Sequence, residues 1–264
     1  MLLNRLLLVL AVLVTATTLA AKDFKLKLGM TTSMDNAGIA ELLKEHHDLS
    51  TEGVDLKVIV AGTGKIIGFL QSNDLDMAIV HNKDRELNFL NNNPGERIEL
   101  FSNDFVLVGP KDDPAKVLAS ETMLEAIELI IATEHIFISR GDDSGTHIVE
   151  RDLWISSELN FSQSPFYLET GAGSGQSLNI AAAMGAYMFV DSSTFFLFNN
   201  KRDLTILKTY EYPNIYSLII PTSNLKHETL AKVLDFKQWI LSEPTKELFD
   251  ALDESLIRYI ADTQ

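Results

Sequence analysis

The sequence predicts an α/β protein of two lobes, each a mixed sheet flanked by helices, with a ligand cleft between them. Three observations carry that expectation. Short apolar runs alternate with amphipathic helical stretches along the chain, the pattern of strands covered by helices. The alternation halts at Gly109–Pro110 and then begins again. The apolar runs are followed repeatedly by tight turns rich in glycine and hydroxyls. These features place lobe I at residues 22–108 and 206–264 and lobe II at 109–205. The chain is then expected to cross near Val108–Gly109 and to return near Thr205 to Tyr212. The competing arrangement is one continuous doubly wound sheet.

Lys25 to Gly29 reads as the first strand and leads to a turn at Thr31–Thr32–Ser33. Ala37 to His47 follows as a helix, with Ile39, Leu42 and Leu43 along one side. Leu56 to Val60 is a second strand, and Gly62–Thr63–Gly64 opens a helix through Ile66, Ile67 and Leu70. Met77 to Val80 is wholly apolar, as expected of a strand covered on both faces. Phe105 to Val108 is a further strand, ended by Gly109–Pro110 and the polar turn Lys111 to Pro114. In the second series Glu121 to Ala132 is helical, Ile136 to Ser139 a strand, and Gly145 opens a helix through Val149, Leu153 and Trp154. Tyr167–Leu168 leads through Gly171 to Gly175 into a helix over Leu178 to Met184. Met188 to Val190 is a strand, Ser193 to Phe198 a short helix and Leu218 to Ile220 a late strand. Leu225 to Ile260 reads as mostly helical, broken by Pro244.

The N-terminus sets the expected compartment. Arg5 precedes an apolar run, Leu6 to Val14, and the small-residue stretch Thr15 to Ala21. That order is a secretory signal peptide over residues 1–21, cut near Ala20 or Ala21. The run is shorter than the roughly 20 residues that span a bilayer, which argues against a membrane anchor. Cysteine is absent, so no disulfide forms and no cysteine carries a lipid at the cleavage point. A free periplasmic protein is the expectation. The formal net charge of −15 makes nucleic acid or an anionic membrane a poor partner. It leaves a buried anion site open, because distant surface charge is screened by salt.

The recurring turns point to such a site. They occur at Thr31–Thr32–Ser33, Gly62–Thr63–Gly64, Ser139 to Thr146 and Thr170 to Ser177. A helix start presents unpaired backbone N–H groups and the positive end of the helix dipole. Glycine admits close approach, and Ser or Thr adds a neutral donor. Converging turns would hold a divalent oxyanion through hydrogen bonds. Each turn alone is better explained by ordinary helix capping. In Ser139-Arg140-Gly141-Asp142-Asp143-Ser144-Gly145-Thr146-His147, Arg140 would leave a strand end at the crevice and offer a bidentate fork to two oxygens. Asp142 and Asp143 would cap the helix or hold Arg140 from behind; the bland alternative is a surface loop whose Arg140 pairs with Asp142.

Other chemistry has weaker support. Ser144, His147 and Asp142 lie on a single loop and lack the G-x-S-x-G elbow of many hydrolases. Gly62-Thr63-Gly64-Lys65 falls short of a full phosphate loop. The 6 histidines show no metal-ligand spacing. No cofactor is expected.

These segments together resemble the tungstate-binding proteins of ABC importers, within the type II periplasmic binding-protein class. The carriers are Thr31-Thr32-Ser33, Ala61-Gly62-Thr63-Gly64-Lys65, Asp76 to His81, Asn103-Asp104-Phe105 with Val108-Gly109-Pro110, Ser139 to His147, and Tyr167-Leu168-Glu169-Thr170-Gly171. The resemblance implies two lobes closing on a dehydrated tungstate or molybdate, with delivery to an ABC permease and no enzymatic role. It implies donors Thr31, Thr32, Ser33 and Thr63 from the first lobe and Arg140, Ser144 and Thr146 from the second. Helix-start amides beside Ser144 and after Gly171 complete the implied shell, in a monomer. One segment departs: the family's usual Asp-Arg-Gly-Thr-Tyr is here Asp191-Ser192-Ser193-Thr194-Phe195. Other oxyanions (sulfate or phosphate), a periplasmic sensor subunit and a secreted hydrolase are the competing functions.

Overall fold

The computed structural model describes residues 24–261 except 52, 158, 254 and 255. The expected signal peptide, residues 1–21, lies outside the described residues. Strand β1 (Phe24–Thr31) is followed by α1 (Thr32–Asn36), α2 (Ile39–Ser50), β2 (Val54–Ala61), α3 (Thr63–Gln71), β3 (Met77–Val80), α4 (Lys83–Asn92) and β4 (Glu96–Asn103). Next come β5 (Phe105–Pro110), α5 (Met123–Ala132), β6 (Phe137–Ser139), α6 (Gly145–Ser156), β7 (Tyr167–Glu169), α7 (Ser174–Met184), β8 (Tyr187–Asp191) and α8 (Ser192–Leu197). The chain ends with β9 (Leu204–Thr209), β10 (Asn214–Ile220), α9 (His227–Ile240), α10 (Glu243–Asp250) and β11 (Arg258–Tyr259).

The strands form two sheets, a 6-stranded one in the order β11-β4-β10-β3-β1-β2 and a 5-stranded one in the order β7-β6-β8-β5-β9. The single-sheet alternative therefore falls. β1 runs parallel to β2 and to β3, and β6 runs parallel to β7 and to β8. The C-terminal ends of these parallel strands are where α1, α3, α4, α6 and α7 begin, the position at which open α/β sheets bind ligands.

Each sheet is covered on both faces, which is why its central strands β3, β5 and β8 are largely apolar and buried along their length. In lobe I, Leu26, Leu28, Met30 and Phe101 pack on one face with Phe236 of α9, while Ala78, Val80 and Ile219 pack on the other with Ile66 and Leu70 of α3. In lobe II, Leu107, Phe137 and Phe189 pack with Trp154 of α6, while Val106, Val108 and Met188 pack with Leu178 of α7.

The lobe boundaries shift from those expected at 22–108, 109–205 and 206–264. β5 pairs with β8 from Phe105↔Asp191 and with β9 from Val106↔Thr209. Residues 105–108 and 206–209 therefore lie in the second sheet, and the crossings fall at Asp104 and at Tyr210–Pro213. The reason is burial: Phe105, Val106, Leu107 and Val108 are all buried, so this strand needs a neighbour on each side and a cover on each face. Pro244 sits in the first turn of α10, where a missing N–H costs nothing; it starts a helix instead of breaking one. Among the described residues no helix is long and apolar enough to cross a membrane.

Candidate functional site

The turns meet in a cleft of about 740 Å³ between the two sheets. Lobe I lines it with Thr32, Asn36, Gly62, Gly64, Lys65 and Arg85, and lobe II with Arg140, Asp142, Asp143, Ser144 and the start of α7 from Gly173 to Gln176. The first turns of α3, α6 and α7 thus face one space, each with backbone N–H groups that its helix leaves unpaired. Seen from the donors alone, the cleft suits an anion.

Arg140 is 7% exposed, so it is not on the bland surface loop. Its Nη2 donates to Asp142 Oδ2 at 2.5 Å, and Asp142 Oδ1 accepts from Ser144 N at 3.1 Å. The carboxylate therefore holds the guanidinium, the pairing that both readings expected, and closes the turn ahead of α6, while the cap of that helix is Ser144 and not an aspartate. Gly141 makes this turn possible, with φ at +59 and its backbone tight against the Glu169 side chain. Arg140 Nε is buried and has no partner among the described residues. An unpaired charged donor in a buried position is costly, which marks it as a group awaiting an acceptor.

Ser144 caps α6 by accepting from His147 N at 3.3 Å. Capping occupies a lone pair and leaves the hydroxyl hydrogen available to donate, so cap and ligand contact are compatible here. The hydrolase geometry is not assembled. His147 Nδ1 accepts from Asp143 N at 3.1 Å, its Nε2 lies 3.7 Å from Glu169 Oε1, and the Ser144 hydroxyl is bonded to the His147 backbone N and not to its ring. Burial also lowers the His147 pKa, opposed by the nearby Asp142 and Glu169 carboxylates.

The remaining expected donors are placed unevenly. Thr32 lines the cleft. Thr31 and Ser33 are buried behind it, their hydroxyls 3.3 Å apart, and Ser33 accepts from Tyr216 OH at 3.1 Å. Thr63 begins α3, and its buried Oγ1 has no partner among the described residues. Thr146 is buried in the first turn of α6 and does not line the cleft. Gly171 (φ +63) forms the bend, while the cleft surface comes two residues later at Gly173 to Gln176. Asn36, Lys65 and Arg85 are lining residues that the sequence reading did not name as donors, whereas the α7 start falls within the expected Thr170 to Ser177 turn.

Comparison with known proteins decides the family. A sequence profile described as PBP superfamily domain matches residues 15–244. The tungstate-binding protein TupA of Peptoclostridium acidaminophilum is 34% identical over 230 residues, spanning 84% of this chain and 79% of that protein. The chain belongs to the tungstate-binding family of the PBP superfamily. Solved structures agree with the fold. The tungstate-binding protein TupA from Desulfovibrio alaskensis G20 superposes with a TM-score of 0.76 at 30% identity, covering 90% of this chain and 100% of its own. The tungstate ABC transporter structure from Geobacter sulfurreducens gives 0.74 at 31%, covering 88% and 100%.

Within this member of the tungstate-binding family, the departure at Asp191 to Phe195 lies at the lobe crossing and does not line the cleft. Ser192 N donates to Asp104 O at 2.8 Å, and Ser192 Oγ accepts from Asp104 N at 3.3 Å. Ser193 Oγ accepts from Asn103 Nδ2 at 2.6 Å and donates to Asp191 Oδ1 at 2.9 Å. From Asn103 the bonding continues through Asn214 Nδ2 at 2.8 Å to His81 Nδ1 at 2.8 Å. Since Asn214 Oδ1 only accepts, His81 is protonated on Nδ1; burial lowers its pKa, against the raising effects of Asn214 and Asp191. The chain of bonds joins the end of β3 in one lobe to the end of β8 in the other. There the lobes touch: a Cβ on Gly145 would lie 2.7 Å from the His81 ring and 2.8 Å from its carbonyl oxygen, so glycine permits the approach.

Proposed function

We propose that this chain is the exported solute-binding component of an ABC importer, holding a tetrahedral oxyanion in the interlobe cleft. Tungstate is the favoured ligand, with molybdate the nearest rival in size and charge, and a permease in the inner membrane receives it. The single observation that supports this reading most is the buried, unpartnered Arg140 Nε in a cleft faced by helix starts. The names of the relatives supply the choice of tungstate. We assign ligand donation to Thr32, Arg140 and Ser144 together with the first-turn amides of α3, α6 and α7, with Thr63 Oγ1 as the buried hydroxyl that lobe closure would engage. Thr31 and Ser33 support this shell from behind, through Tyr216. Thr146 packs in the first turn of α6, and Gly171 sets the bend.

A donor cage of fixed span rejects sulfate and phosphate, which are smaller, and phosphate further because it carries a proton. Calorimetric titration of the mature chain with tungstate, molybdate, sulfate and phosphate tests the proposal. Tungstate should bind most tightly or equally with molybdate, and should raise the melting temperature. Ligand at a hundred times Kd adds about 2.7 kcal/mol of stability. No heat and no shift with any of the four would overturn the reading. Mass spectrometry of the exported protein should find residues 1–20 or 1–21 removed.

A further inference from the structure

Resting on the oxyanion reading above, we propose that Arg85 is the residue that reads ligand charge, selecting a divalent over a monovalent tetrahedral oxyanion. It lines the cleft from lobe I, opposite Arg140. Its guanidinium lies directly over the start of α3, so close that a Cβ on Gly64 would overlap Arg85 Nη1. The helix beneath it is firmly placed. Asn82 Oδ1 accepts from Arg85 N at 2.9 Å, and Asn82 N donates back to Glu86 Oε1 at 2.7 Å.

Charge pairing distinguishes Arg85 from Arg140, and Lys65, the third cation lining the cleft, is exposed with its Nζ over the Phe69 ring. Arg140 already faces Asp142 at 2.5 Å, so that half of the cleft is close to neutral. Of the two carboxylates adjacent to Arg85 along the chain, Glu86 is fully buried and taken by Arg97 Nε at 2.7 Å, and Asp84 is exposed. No carboxylate among the described residues lies within ion-pair distance of Arg85. Arg85 also occupies the first turn of a helix of 10 residues, where the dipole disfavours a cation. An uncompensated cation at an unfavourable position, facing the cleft, gains its counter-charge from the ligand. A second negative charge on the ligand then adds to that attraction, the more so the further lobe closure excludes water.

Calorimetry of the full mature chain with tungstate and with perrhenate, a monovalent tetrahedral anion of similar size, tests this. Arg85→Gln should lower tungstate affinity about tenfold or more, the scale of a lost charged hydrogen bond, and perrhenate affinity much less. The tungstate-to-perrhenate ratio should therefore fall. Arg85→Lys should keep most of the ratio. Gly64→Ala, which retains the arginine but displaces its guanidinium, should fall between them. A ratio unchanged in Arg85→Gln overturns the inference while leaving the oxyanion function standing. Failure of the unmodified chain to bind any oxyanion overturns both.

Discussion

The two walls of the cleft are built on opposite plans. The lobe II wall is preorganised: Asp142 fixes the Arg140 guanidinium, Ser144 caps α6, and Thr170 Oγ1 ties the α7 turn to Ser139 O and Arg140 O at 3.2 Å each. The lobe I wall keeps its polar groups either in reserve or in a buried network. Among the described residues Thr63 Oγ1 is unpartnered and Arg85 has no carboxylate within ion-pair reach, while Ser33 is bonded to Tyr216 in the interior. One wall is a braced socket that leaves Arg140 Nε open to a ligand, and the other is a set of donors without partners among the described residues. That difference suits a protein in which the anion docks on lobe II first and lobe I closes over it. The lobes communicate where Ser193, Asn103, Asn214 and His81 are bonded in series.

The largest expected effect comes from breaking the socket. Arg140→Ala should weaken tungstate binding by roughly 1.5–3 kcal/mol or more, the scale of a charged hydrogen bond, because it removes the proposed donor and leaves Asp142 without its counter-cation. Arg140→Lys should recover only part of this, since a point charge lacks the planar fork. Titration calorimetry of both variants is the measurement. An Arg140→Ala protein with unchanged affinity would remove lobe II from the primary contact.

On the lobe I side the sign of the stability change separates two roles. Thr63→Val deletes a buried hydroxyl with no partner and keeps its shape. In the ligand-free protein this should be neutral or stabilising, because an unsatisfied buried group is costly. Tungstate affinity should nevertheless fall, by about 1 kcal/mol for one neutral hydrogen bond. Melting curves with and without tungstate report both quantities. A variant more stable in both conditions, with no loss of affinity, would make Thr63 a packing residue only.

How much of this was legible in the sequence follows the same division. The lobe II socket lies in one contiguous segment, Ser139 to His147, so Arg140, Ser144 and the role of Asp142 could be read directly. The strands were visible because both faces are apolar, Met77 to Val80 being the clearest case. Lobe I was read less well because its contribution is scattered. α4 has the sequence KDRELNFLNN, too polar for its one buried stripe to stand out, and β4 begins with charged residues that pair across it, Arg97 with Glu86 and Glu99. With α4 invisible, Arg85 had no position and could not be placed at the cleft. The crossing points were misjudged for a similar reason: Gly109–Pro110 looks like a terminus, yet Gly109 and Pro110 pair with Thr205 and Leu204 inside the second sheet. The Arg258–Tyr259 strand is too short for any periodicity to reveal it.

The smallest effect concerns what lies behind the socket. Glu150 of α6 is fully buried, with Oε2 accepting from Ser139 Oγ at 3.1 Å and Oε1 from Tyr167 OH at 3.0 Å. Burial pushes its pKa from 4.5 up to about 8, against the lowering effect of these hydrogen bonds. In the unfolded chain the same carboxyl loses its proton near its ordinary value. Between those two values the folded protein holds a proton that the unfolded chain has released. Stability from this group therefore falls as pH rises from about 4.5 to about 8, by at most about 1.4 kcal/mol per pH unit. Glu150→Gln cannot ionise, so its melting temperature should fall less steeply across this window, and the variant should gain on the parent as pH rises. Parallel pH profiles would show that Glu150 is not a buried neutral acid in the folded protein. Because Ser139 immediately precedes Arg140, tungstate affinity of the parent should weaken toward pH 8 more than that of the variant. A pH-dependent melting difference without a matching affinity difference would mean that the socket is rigid enough to ignore the charge behind it.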